Sequence, residues 1–103
     1  MKKKYAFLLM GPHYDPERHC AVFETGGQTT YICTVRSLDE ARDKALALAA
    51  DGVGAIELCG AFGAENAQTL IDLTRNQVAV GFCIHKREQD GLFSAFFSDS
   101  GDR

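Results

Sequence analysis

The chain has 103 residues, 46% of them apolar, and a net charge of −3. That is the size of one globular domain and lies outside the weakly hydrophobic, highly charged region of disordered chains. No long basic run exists beyond Lys2-Lys3-Lys4, so nucleic acid binding, which needs a basic face, is not expected.

Tyr5 to Met10 is continuously apolar, which suits a strand covered on both faces. It is too short for a secretory core of ~7–15 residues or a membrane helix of ~20. The chain is therefore expected to be cytoplasmic, with neither membrane nor nucleic acid as partner. Cys20, Cys33, Cys59 and Cys83 are scattered singly without a C-x-x-C pair, as expected for reduced cysteines packing as small hydrophobes.

Gly11-Pro12 ends the first strand, and a polar loop runs to about His19. Cys20–Glu24 and Thr29–Val35 read as two strands joined by Thr25-Gly26-Gly27-Gln28, a hairpin turn in which glycine would supply positive φ. Ser37-Leu38-Asp39-Glu40 is a capping box, opening a helix that stops at Gly52. Its inward stripe is Ala41, Ala45, Leu48 and Ala49, while Leu46, Ala47 and Ala50 widen the apolar surface beyond one face.

Val53–Leu58 is the next strand, followed by Cys59-Gly60-Ala61-Phe62-Gly63 and a helix over about 64–75. Val78–Ile84 is another apolar strand, and about 88–97 forms a last helix carrying Leu92, Phe93, Phe96 and Phe97. The expected fold is α/β, one domain over 1–97 with a frayed tail at 98–103. Its sheet is mostly parallel, with flanking helices and Cys20–Glu24 as an antiparallel strand at the edge.

Ligands of open parallel sheets bind beyond the C-terminal strand ends. That edge gathers His13, Arg36, Glu57, Cys59, Gly60, Gly63 and His85, together with two helix starts whose amides favour anions. Gly60 and Gly63 would let backbone amides approach an anion, although the spacing is neither a dinucleotide fingerprint nor a P-loop. Glu57 inside an apolar strand needs solvent or a partner such as His13, Arg36 or His85. Cys59 at a strand end before a helix start could be thiolate-stabilised, and would need His13 or His85 as a base to act as nucleophile.

The stretch Ile56-Glu57-Leu58-Cys59-Gly60-Ala61-Phe62-Gly63 is distinctive. With Tyr5–Gly11, Tyr14-Asp15-Pro16-Glu17 and Val80-Gly81, it resembles a family of small bacterial proteins of unknown function. The resemblance runs to about Phe97. Family members more often carry glycine where this chain has Ala61. The resemblance implies a free-standing domain and assigns no catalytic residue, substrate or cofactor.

The expected function is binding of a small anionic molecule at the strand-end edge. The alternatives are a non-enzymatic oligomeric assembly protein and a histidine-cysteine metal binder. No pair has recognised metal-ligand spacing. Self-association, most simply as a homodimer, is expected from the apolar surplus on the first helix and from Phe93, Phe96 and Phe97.

Overall fold

A computed structural model describes residues 2–98. The elements in order are β1 (Lys3–Met10), β2 (Ala21–Glu24), β3 (Gln28–Val35), α1 (Leu38–Ala50), β4 (Ala55–Leu58), α2 (Gly63–Leu73), β5 (Ala79–Phe82), a 3-10 turn (Arg87–Gln89) and α3 (Asp90–Phe97). The five strands form one sheet ordered β2-β3-β1-β4-β5. β1 runs parallel to β3 and β4, β4 parallel to β5, and β2 antiparallel to β3. This is the expected mostly parallel α/β sheet, with β2 at the edge. The tail expected at 98–103 lies outside the described residues from 99 onward.

Both crossovers, β3-α1-β4 and β4-α2-β5, step across the sheet in the same direction. Right-handed connections of that kind put both helices on one face. α1 packs on β1, β3 and α2, and α2 on β5. Strand side chains alternate between faces, and the helix-covered set is the core: Ala6, Leu8, Cys33, Val35, Ile56 and Leu58 are all buried. Ala41, Ala45 and Leu48 of α1, with Ala67 and Leu70 of α2, close it from above. Tyr31 and Val80 add half-buried packing on the same side.

The opposite face corrects the expectation that Tyr5–Met10 is covered on both sides. The register places Tyr5, Phe7 and Leu9 beside Thr30, Ile32 and Thr34, and beside Ala55 and Glu57. Phe23 from β2 and Ala79 and Gly81 from β5 extend that row. Neither α1 nor α2 packs there, since both lie across the sheet, and α3 has no buried residue. The loop after β1 reaches only the Thr34 end, where the buried Thr34 hydroxyl donates to His19 O at 2.8 Å, and Tyr5, Phe7, Leu9 and Ile32 are half-buried. A run that is apolar throughout therefore has only its even-numbered side chains in the core.

Local chemistry explains the helix ends. The Ser37 hydroxyl accepts the Glu40 amide at 3.2 Å, as an N-cap should. The Glu40 carboxylate reaches back to the Arg36 amide at 2.8 Å, one residue before the cap. At the far end Gly52 has φ 95°. Its amide bonds Ala49 O and the Val53 amide bonds Leu48 O, both at 3.0 Å, the paired closure that wants glycine. α1 has no basic residue in its last turn. Lys4 from β1 supplies that charge instead, donating to Asp51 O at 2.8 Å.

The hairpin turn differs from expectation. Gly26 and Gly27 are not among the residues with positive φ. The Thr25 hydroxyl orders the turn, accepting the Gly27 and Gln28 amides at 3.3 and 3.1 Å, which is the local side-chain route to a turn.

Candidate functional site

The C-terminal strand ends do share one edge, yet the residues expected there divide into separate groups. Arg36 is committed to Glu40, with Nη2 to Oε2 at 2.6 Å and Nε to Oε2 at 3.0 Å. This pair raises the arginine and lowers the glutamic acid from their ordinary pKa values, chiefly through the hydrogen bond between them. The α1 start is thus capped by its own side chains, and its nearest cation is already matched.

Beside it lies a groove of about 450 Å³ between the 11–19 loop and α1. Asp15, Glu17, Glu40 and Asp43 line it against Arg36 and Lys44, so its charge is net negative and disfavours an anion. His13 is exposed and makes no hydrogen bond or ion pair among the described residues.

Cys59 is half-buried, and its Sγ accepts the Met10 amide at 3.3 Å. That contact ties the ends of β1 and β4 together. No histidine is hydrogen-bonded to the thiol. His85 instead meets Asp90, Nε2 to Oδ1 at 2.6 Å, and stacks on Phe93 with ring centroids 4.1 Å apart. Gly60 lies where an added Cβ would sit 3.8 Å from Cys83 O, an ordinary contact. Gly63 has φ 75°, so there the glycine is required by backbone conformation. Phe62 precedes α2 without a side-chain cap, and its ring is buried in the core. The α2 start therefore presents amides that no side chain of this chain caps. Among the described residues no group of three or more histidine, cysteine or acidic side chains comes together as a metal cluster.

Glu57 makes the contact that sequence reasoning missed. Its partner is none of His13, Arg36 or His85 but Tyr5, whose hydroxyl donates to Oε1 at 2.5 Å. In the register Tyr5 sits opposite Ala55 and Glu57 opposite Phe7, so the pair is a diagonal across two parallel strands on the uncovered face. On the far side, an added Cβ at Gly81 would be 3.7 Å from Glu57 Oε2. A glycine thus leaves room beside the oxygen that Tyr5 does not use. The Tyr5 pKa is pushed up to about 12, first by desolvation and then by its hydrogen bond to Glu57. The available signal was that the Tyr5 hydroxyl is the one polar side-chain group in an apolar run, and Glu57 is an acid in another.

The sequence profile of a family of unknown function, DUF6506, matches residues 3–98. The chain belongs to DUF6506. No curated protein and no solved structure matches this DUF6506 chain. No helix among its described residues is long and apolar enough to cross a membrane.

Proposed function

We propose that this DUF6506 protein binds a small, largely apolar molecule on its uncovered sheet face, with Tyr5 and Glu57 as the polar anchor. The observation carrying this reading is the Tyr5–Glu57 hydrogen bond set among Phe7, Leu9, Ile32 and Ala55. Small-molecule sites are mostly apolar surfaces with a few placed polar groups. One carboxylate oxygen accepts the phenol's hydrogen bond, and the other lies beside the bare backbone of Gly81. That free oxygen accepts hydrogen bonds and attracts positive charge, so the reading favours a ligand with an amine or hydroxyl donor on an aromatic or aliphatic body. It moves the ligand from the strand-end edge to the face and changes its preferred charge. A reducing, cytoplasmic setting fits four free thiols.

Calorimetric and NMR titration against matched aromatic amines, alcohols and carboxylates tests it. Amines should bind best, with shifts confined to β1, β4 and β5. Glu57→Gln should weaken them about tenfold or more, equivalent to roughly 1.4 kcal/mol. Absence of binding by any amine or alcohol, or full binding by the Glu57→Gln protein, overturns it.

A second reading keeps the anion at the α2 start, favoured by the amides of residues 63–65, which no side chain among the described residues caps. Gly60→Val has steric room and should abolish phosphate or carboxylate binding there in a folded protein. Unchanged phosphate binding by that variant would remove this reading.

A further inference from the structure

We infer that a second copy of the chain closes the sheet face, each copy laying its C-terminal arm, residues 85–97, across the face of the other. The inference concerns the same sheet face as the reading above and is independent of it: an arm lying there takes the place, and the Glu57 oxygen, that a ligand amine would otherwise occupy.

Two apolar surfaces in one chain lie apart. The first is the row Tyr5, Phe7, Leu9, Ile32 and Phe23 on the uncovered face. The second is the arm. Every residue from Cys83 to Ser98 is exposed, including Leu92 at 69%, Phe96 at 78% and Phe97 at 72%. A hollow of about 220 Å³ opens between Leu92, Phe93 and Phe96. The arm is ordered by itself rather than by the body: His85 stacks on Phe93 and bonds Asp90, and Phe96 meets Phe97 edge-on at 4.9 Å. It is therefore a preformed apolar helix without a buried residue.

Charge complementarity points to the same pairing. Glu57 is bonded only by a phenol and enters no ion pair among the described residues. Lys86 and Arg87, at the root of the arm, likewise enter none. Glu88 beside them is unpaired as well, so the root of the arm carries one net unmatched positive charge, which an arm laid across the face brings toward one unmatched carboxylate.

The exposed area fits a dimer. A monomer of this mass exposes about 5,700 Å² by the usual scaling, whereas this chain exposes 7090 Å². A standard interface takes about 800 Å² from each partner. Because the face and the arm are both on every chain, a two-fold axis satisfies both contacts at once and closes the assembly.

Sedimentation equilibrium of the full chain and its variants tests the exchange. The wild type should sediment at twice the 11.2 kDa of the single chain. Phe7→Lys, or Ile32→Lys if the first variant loses its circular dichroism spectrum, spoils the face. The double variant Phe96→Glu and Phe97→Glu spoils the arm. Each alone should sediment as a monomer. Mixed, they should form a heterodimer, because the sound arm of one meets the sound face of the other. Neither face-to-face nor arm-to-arm packing gives that rescue.

A monomeric wild type overturns the inference. So does an arm variant that remains dimeric, or a mixture that stays monomeric. Amine titration of the monomeric arm variant, which keeps Tyr5 and Glu57, is read separately, so failure of the ligand reading is distinguishable from failure of the exchange.

Discussion

Tyr5 is the residue whose chemistry is most altered by the fold. A phenol whose folded pKa is about 12 rather than 10.0 favours the folded state as long as it stays protonated. The sign follows from linkage: the contribution is whole below about pH 10 and is lost as pH rises from 10 toward 12. Phenolate titration by ultraviolet absorbance should show one tyrosine ionising near 12. Glu57→Gln should bring it only part of the way back to 10.0, because desolvation is the larger cause. A Tyr5 titration unmoved by that variant would refute the coupling. Sequence alone could flag Glu57 as needing a partner but could not choose one, because the choice depends on strand order. β1 lies beside β4 although β2, β3 and α1 intervene in the chain.

At the scale of elements, the sequence was legible wherever one local interaction dominates. Ser37 and Gly52 mark the ends of α1 because an N-cap hydroxyl and a left-handed C-terminal residue are local necessities. Ser37→Ala should cost about 1 kcal/mol, and Gly52→Ala about 1–2 kcal/mol because alanine at φ 95° is strained. Both read out as a lower urea midpoint with an unchanged slope. A Gly52→Ala protein as stable as wild type would contradict the assigned backbone. The Thr25 turn was illegible for the converse reason: two adjacent glycines advertise positive φ, but a neighbouring hydroxyl offered the amides a cheaper solution. α2 similarly ends without glycine, on Arg75 and Asn76 at φ 58° and 54°.

For the whole molecule, the decisive feature is that both crossovers cover the same side of the sheet. Continuous apolarity in β1 reads as burial on two faces, but one chain of this length supplies cover for one. Two apolar surfaces then compete as an interface, the sheet face with its half-buried Phe7, Leu9 and Ile32 and the outer side of α1 with Leu46 at 46% exposure. The arm favours the face. Leu46→Glu with Ala50→Glu should therefore leave the sedimenting mass unchanged, whereas Phe7→Lys should halve it. The reverse pattern would move the interface to α1.

The position of β1 in the centre of the sheet also governs how the protein is made. Tyr5 pairs with Thr30 and with Ala55, so the strand emerging first waits for partners 25 and 50 residues later. At about 5–20 residues per second, the second partner follows roughly 2.5–10 s behind the first strand. Until β3 follows, Tyr5–Met10 has its whole backbone unpaired, and until β4 follows one side of it stays open, the kind of apolar segment that aggregates or recruits chaperones. Lys2, Lys3 and Lys4 stand immediately ahead of it, where charge opposes intermolecular strand pairing.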